Sequence, residues 1–307
     1  MNMELWYTEN QTENVNFSMK VKNHLYSIQS PFQKIDIIDT YEFGRVLVID
    51  NWIMVTEKDE FIYHEMITHV AMATNKNIEK ILVIGAGDGG TVRELTRYNT
   101  VKNIDMVEID EAVVTASKKF LPFTSNKLDD PRVNLFFEDG IKFIKEKKNL
   151  YDLIIIDSTD PIGPGEGLFT TDFYKDCYDA LSENGILINQ CESPYYPNNS
   201  KEMKRSFTKL NNLFNICKVY QYHMPTYASG HWMFCFASKN IDPIQDLDEN
   251  YWNSLKLTTK YYNTDLHKGA FMLPNYVKNI LESCTTSLAG GLIKPYKGMI
   301  LAALLVL

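Results

Sequence analysis

Cysteine is scarce and unpatterned. Five residues (Cys177, Cys191, Cys217, Cys235 and Cys284) are scattered through 307, with no C-x-x-C pair. That excludes a disulfide framework and a cysteine zinc site, and predicts free buried thiols in a reducing compartment. An excess of positive charge is missing too. Lys and Arg total 31 against 39 Asp and Glu, a formal net charge of −8. A nucleic-acid binder needs the opposite, a basic face. An acidic chain suits a cationic small molecule, although acidity also serves plain solubility. No apolar run reaches the roughly 20 residues that span a bilayer; GMILAALLVL at 298–307 is about half of that. The opening MNMELWYTENQTE lacks the basic and apolar regions of a secretory signal. These absences predict a cytoplasmic protein with neither nucleic-acid nor membrane partners.

Familiar catalytic signatures are absent as well. His64-Glu65 and His69 approach H-E-x-x-H but are one residue too long. Positions five apart on a helix diverge, so no zinc site and no metal is expected. G-x-S-x-G is missing, and no Ser-His-Asp set stands out. No internal repeat or low-complexity segment occurs.

What is present is patterning. With 45% hydrophobic and 23% charged residues, the chain has an ordinary globular composition. Its length allows one large domain plus a small one. QKIDIID (33–39) alternates at period two, Phe43-Gly44 turns the chain, RVLVID (45–50) alternates again, and IMVT begins at Ile53. These are three short strands of a small antiparallel sheet within residues 1–57, too small to bury much alone. It is expected to pack on the main domain or on a second copy of itself. From Asp59 the period becomes helical, with Thr56 or Asp59 as candidate N-cap.

Strands are then predicted at 80–84, 104–109, 133–137, 152–157 and 185–190. Helices are predicted near 90–98, 110–119, 140–148 and 172–182, which makes a doubly wound α/β sheet. After a helix near 200–213, strands 216–223 and 231–238 flank the short MPTYASG and must pair antiparallel. The expected architecture over 58–283 is a Rossmann-like, methyltransferase-type sheet, parallel with a C-terminal antiparallel hairpin. A tail follows at 284–307.

The chemistry gathers at strand ends. In KILVIGAGDGGTVREL (80–95), Gly85, Gly87 and Gly90 satisfy the dinucleotide fingerprint G-x-G-x-x-G. A dinucleotide would place phosphate on that loop, and Asp88 would repel it. An S-adenosyl ligand instead brings a sulfonium and an amine. For Asp88 alone, helix cap and ligand partner are both open and compatible. Glu108 ends MVEID, roughly 20 residues after the loop, where such folds keep the acid that binds ribose hydroxyls. Asp139 follows LFFE, within reach of an adenine amino group, although EDG is also a common turn.

LIIIDSTDP (153–161) ends a strand on Asp157 and adds Asp160 before Pro161. The first and fourth parallel strands are expected side by side at the switch point, so Asp88 and Asp157 face one crevice. Acids converging there are costly unless a cation offsets them. Asp-Pro also begins turns, but a turn needs neither the apolar lead-in nor a second acid. Tyr63, Tyr227 and Trp232 read first as packing aromatics; Tyr63 and Tyr227 stand beside the other candidates.

Together these motifs resemble the spermidine synthase (polyamine aminopropyltransferase) family. The match runs from about Leu5 to Glu282, through QKIDIID at 33, FGRVLVID at 43, TEKDEFIYHEM at 56, VIGAGDGGTVRE at 83, VEID at 107 and FEDG at 137. It continues through IIIDSTDP at 154, LFTTDFYKDCYDAL at 168, PTYASGHW at 225 and KYYNTDLHKGAFMLPNYV at 260. The resemblance implies transfer of the aminopropyl group of decarboxylated S-adenosylmethionine to putrescine, giving spermidine and 5′-methylthioadenosine.

By the same resemblance Gln33, Glu108, Asp139, Gly140 and Pro164, with Gly85 and Gly87, hold the thioadenosine part. His64, Asp88, Asp157, Ser158 and Asp160 line the polyamine channel, with Gln190 and Trp232 in the pocket wall. Asp157 accepts a proton, assisted by Tyr63 and Tyr227. No cofactor is implied, the sulfonium donor being a co-substrate, and the assembly is a homodimer or homotetramer. Two departures stand out: Ala228 replaces a proline common in PTYPSG, and nothing after about Ser283 follows the family pattern. The rivals are a methyltransferase on the same sheet, whose cofactor carboxylate Asp88 and Asp157 would oppose, and a non-catalytic polyamine-binding protein.

Overall fold

Two sheets carry the chain in the computed structural model, which describes residues 4–158 and 163–283. The first is an antiparallel meander of β1 (Leu5–Thr12), β2 (Val15–Gln29), β3 (Lys34–Thr40), β4 (Gly44–Ile49) and β5 (Trp52–Thr56), paired in that order. The three strands expected from the sequence are therefore five. The hairpin β1–β2 escaped notice because LWYTENQT and VNFSMKVKNHLYSIQ are mostly exposed and polar, without the alternation a half-buried strand shows. Asp50 and Asn51 take φ of 47° and 68° in the two-residue turn between β4 and β5, the left-handed pair such hairpins use.

This sheet buries both faces. Ile35, Ile37, Leu47, Ile49 and Val55 pack on Val113, Ala116 and Leu121 of the main domain. Met19, Val21, Ile38, Val46, Val48 and Ile53 form a second, smaller cluster on the other side. The alternation of VLVI along β4 divides its residues between the two.

The second sheet has seven strands: β6 (Lys80–Gly85), β7 (Asn103–Glu108), β8 (Val133–Phe137), β9 (Tyr151–Asp157), β10 (Leu181–Gln190), β11 (Ile216–His223) and β12 (His231–Ser238). Their order is β11-β12-β10-β9-β6-β7-β8. Strands β8, β7, β6, β9 and β10 are parallel, and β12 pairs antiparallel with both β10 and β11. The helices are α1 (Glu60–Thr74), α2 (Gly90–Leu95), α3 (Glu111–Phe120), α4 (Pro122–Ser125), α5 (Gly140–Ile144), α6 (Thr171–Ala180) and α7 (Pro197–Leu213). Three more follow the sheet, α8 (Glu249–Leu255), α9 (Thr264–Ala270) and α10 (Asn275–Glu282), which the alternating pattern did not announce. Helices α2 and α5 stop short of their expected ends.

Helix α1 is buried almost all round. Its polar residues are matched internally: Glu65 takes the backbone N–H groups of Lys260, Tyr261 and Tyr262, each at 2.8 Å. His69 meets Tyr98 at 2.7 Å and Glu94 at 3.0 Å. His69 is thus a packed histidine, and no group of three or more metal-ligating side chains occurs among the described residues. Cys177, Cys191, Cys217 and Cys235 are buried and unbridged. No helix among the described residues is long and apolar enough to cross a membrane. The tail 284–307 and Asp160 lie outside the described residues.

Candidate active site

Strands β6 and β9 lie side by side, with Gly85 opposite Asp157. At this switch point the flanking connections diverge and a crevice opens at the carboxyl ends of the strands. The glycine loop shapes the crevice through contacts with the protein itself. Gly85 sits at φ 87°, where a Cβ would lie 2.1 Å from the Asp157 carbonyl oxygen. A Cβ on Gly90 would lie 2.2 Å from the His64 ring. Only glycine lets β9 and α1 approach so closely.

Asp157 stands at the end of β9 with both oxygens engaged. The Tyr63 hydroxyl donates to Oδ1 at 2.8 Å and the Thr91 hydroxyl donates to Oδ2 at 2.6 Å. Burial, then the charge of Asp88, raises its pKa, against the opposing pull of His64 and the two hydroxyls. Asp88 lines the crevice one residue before Gly89, the N-cap of α2. Its Oδ1 accepts the Gly90 N–H at 2.8 Å and lies 3.2 Å from His64 Nε2. The converging acids therefore have an imidazole of the protein itself beside them.

Around the crevice, Glu108 Oε1 accepts the Asp110 N–H at 3.0 Å. Burial, with the charges of Asp110 and Asp157, pushes its carboxyl up to about 7 against that hydrogen bond. Asp139 caps α5 through the Ile141 N–H at 2.9 Å, and Gln33 Nε2 donates to Asp110 Oδ2 at 3.1 Å. Gly85, Gly87, Asp88, Glu108, Asp139, Gly140 and Asp157 all line one cavity. Pro164 falls in the 3₁₀ helix Gly163–Phe169.

A second cavity opens from the same place. Its walls are Glu9, Gln11, Trp52, Ile53, Gln190, Ala228 and Trp232, and Gln33, Ile49, Met54, Tyr63, Ser158 and Tyr227 line both cavities. The site thus has two arms that meet beside Tyr63 and Asp157. The first is rich in carboxylates; the second is a mainly apolar sleeve with two acids, the buried Glu9 and the exposed Asp50, in its wall. Tyr227 does not reach for Asp157: its hydroxyl donates to the Met54 carbonyl at 2.6 Å. Its ring packs on Trp232 at 5.2 Å and on Tyr63 at 6.3 Å. The loop around Ala228 is tied by Trp232 Nε1 donating to the Ala228 carbonyl at 3.1 Å, and by Thr226 Oγ1 donating to Asp59 at 2.8 Å.

Two site residues went unseen in the sequence. Thr91 could have been noticed as the first hydroxyl after the glycine loop. Glu9 gave no signal, because ENQTEN reads as polar surface; in the fold it is 4% exposed and accepts the Ile53 N–H at 2.6 Å.

Comparison with known proteins agrees with this geometry. The spermine/spermidine synthase domain family matches residues 60–250, and the spermidine synthase tetramerisation domain matches residues 5–57. A polyamine aminopropyltransferase of Alkaliphilus oremlandii is 64% identical over 280 residues, 91% of this chain and 99% of that protein. One of Clostridium perfringens is 62% identical over 281 residues, 92% and 99%. A spermidine synthase crystallised with the transition state analogue AdoDATO superposes with a TM-score of 0.88 at 43% identity, covering 90% of this chain and 94% of that one. The Thermotoga maritima spermidine synthase gives 0.85 at 42%, with the same coverage. The chain is a transferase of polyamine biosynthesis and belongs to the spermidine synthase (polyamine aminopropyltransferase) family.

Proposed function

We propose that this enzyme moves the 3-aminopropyl group of decarboxylated S-adenosylmethionine to putrescine by direct displacement, with Asp157 as proton acceptor. The observation that carries the reading is a half-buried carboxylate of raised proton affinity where two arms of different character meet. A primary ammonium with a pKa near 10.4 costs roughly 4 to 5 kcal/mol to deprotonate at pH 7. Asp157 takes that proton, aided by the Tyr63 hydroxyl on Oδ1. The freed nitrogen attacks the carbon beside the sulfonium. The new C–N bond forms as the C–S bond breaks, its electron pair staying on sulfur as a neutral thioether. The products are spermidine and 5′-methylthioadenosine.

Donor and acceptor take separate arms in this reading. Glu108 binds the ribose hydroxyls, Asp139 the adenine amino group, and Gln33, Gly85, Gly87, Gly140 and Pro164 complete the thioadenosine site. His64, Asp88, Ser158 and Asp160 face the aminopropyl and amine groups. Putrescine lies along the second arm against Gln190, Trp232 and Tyr227, with its distal ammonium at Glu9. Catalysis is then mainly alignment of two cations in a water-poor channel, with no cofactor or metal taking part. The match of residues 5–57 to a tetramerisation domain supports assembly as a homodimer or homotetramer. Purified protein given putrescine and either sulfonium donor tests the reading by mass spectrometry of the products. Spermidine from the decarboxylated donor is expected; methylation without aminopropyl transfer overturns it.

A further inference from the structure

Both ring nitrogens of His64 face carboxylates. Nδ1 is 2.6 Å from Glu60 Oε2, and Nε2 is 3.2 Å from Asp88 Oδ1. An ionised carboxylate only accepts hydrogen bonds, and neutral imidazole carries one N–H. In a neutral ring one lone pair would therefore confront an oxygen anion. The ring is 2% exposed, so solvent does not relieve that clash. Nor is a proton on Glu60 favoured. Arg93 grips both oxygens of Glu60, each at 2.9 Å, and Asp88 Oδ1 already accepts the Gly90 N–H.

We propose that Glu60 is a positioning residue: backed by Arg93, it holds His64 as a doubly protonated imidazolium that fixes Asp88 for the donor's ammonium. This rests on the reading of Asp88 as the ammonium's partner. The charged and titratable groups around the ring are Glu60 on its own helix, Asp88 on the glycine loop, Asp157 on β9, Arg93 behind Glu60 on α2, and the neighbouring Tyr63. Burial alone would favour the neutral ring, but the carboxylates outweigh it and carry the imidazole up to about 10.

Two consequences follow for the site. Glu60 is matched by Arg93 and Asp88 by His64, so Asp157 is the carboxylate at the junction with no ion-pair partner among the described residues. In addition, Asp88 Oδ1 is committed to Gly90 and His64, while Oδ2 takes no hydrogen bond from the described residues. The carboxylate is held in one orientation, with one oxygen left for a cationic ligand. A neutral His64 would loosen that orientation and leave the crevice over-charged before the donor arrives.

The test is the protonation state of His64, read by ¹⁵N imidazole resonances of the ligand-free protein from about pH 6 to 9. His64→Gln identifies its signal among the six histidines. In the wild-type protein both nitrogens are expected to stay protonated across that range. In Glu60→Gln the ring is expected to titrate inside it, towards the ordinary value of about 6.5. A neutral His64 in the wild type near pH 7.5, or an unchanged ring in Glu60→Gln, overturns the proposal. In kinetics, Glu60→Gln should raise the donor KM about tenfold above that new pKa, with a far smaller effect below it and on kcat. A uniform loss at every pH would mark a merely structural role. Should Glu60→Gln fail to fold, Arg93→Lys, which keeps the charge but loses the fork, should move the ring's titration in the same direction. Because the resonances need no turnover, failure here is distinguishable from failure of aminopropyl transfer.

Discussion

The two arms of the site are built differently. The acids of the carboxylate-rich arm come from one sheet: Asp88, Glu108, Asp139 and Asp157 each follow or end consecutive parallel strands, while Leu47, Ile49, Met54 and Val55 of the first sheet complete its wall. The sleeve draws on both sheets, joining Glu9 of β1 and Trp52 of β5 to Gln190 of β10 and Trp232 of β12. The acids of one arm are local solutions repeated along a sheet. The distinctive groups of the other come from both sheets. The electrostatics differ as well. Burial and neighbouring carboxylates raise the proton affinities of Glu108 and Asp157 in the first arm. The second offers mainly aromatic and aliphatic surface.

The largest expected effect tests the junction. Asp157→Asn should lower kcat by about two to four orders of magnitude, the range of general-base contributions, while calorimetry shows methylthioadenosine still binding. Near-normal turnover would remove the proton acceptor and with it the idea that the arms meet at a base. Next, Glu9→Gln should raise the putrescine KM about tenfold or more and leave the donor KM alone, since Gln can still accept the Ile53 N–H. An equal change in both constants would erase the division into two arms.

A sharper contrast lies between the two tyrosines. Tyr63→Phe takes a hydroxyl from Asp157 and should cost about tenfold in kcat, whereas Tyr227→Phe takes one from the Met54 carbonyl and should cost about 1 kcal/mol of stability with little loss of kcat. The reverse order in stopped-flow rates would reassign the proton path to Tyr227.

The smallest effect is a pH dependence confined to the first arm. The Glu108 pKa is raised to about 7 in the ligand-free fold, so the folded state holds its proton more tightly than the unfolded chain. Its contribution to stability is therefore full below the ordinary carboxylate value and is lost as pH rises towards about 7. A ribose that needs the ionised form displaces that proton. Methylthioadenosine affinity should rise a few-fold between about pH 6 and 8 in the wild type, and stay flat in Glu108→Gln, by calorimetry. Thermal melts should also show Glu108→Gln gaining on the wild type above about pH 7 and not near pH 4. A wild-type affinity that is flat with pH would mean that the carboxyl is not what the ribose meets.

How much was legible follows the same division. Asp157 could be read because the apolar run LIII leads into it and the polar, proline-containing DSTDP begins at it, neighbours in sequence. Asp88 was legible for the same reason, as an acid inside a glycine turn. The hairpin β1–β2 was not, because its strands are held by pairing with β3 and by a second cluster from distant residues, not by an alternation of their own. The loop that carries Ala228 in place of proline is tied through Trp232 and Asp59, partners that only the fold supplies.

The sequence by itself determined the parallel sheet, its antiparallel close and the acids at its strand ends, since hydrophobic period and turn chemistry act over a few residues. Tertiary structure alone decided that His64 would be clasped between Glu60 and Asp88, and that Thr91 would hold Asp157. It also brought a glutamate from the first strand to the wall of the second cavity. Those contacts span up to tens of residues and depend on burial, which removes water and leaves each charge to the partner the fold supplies.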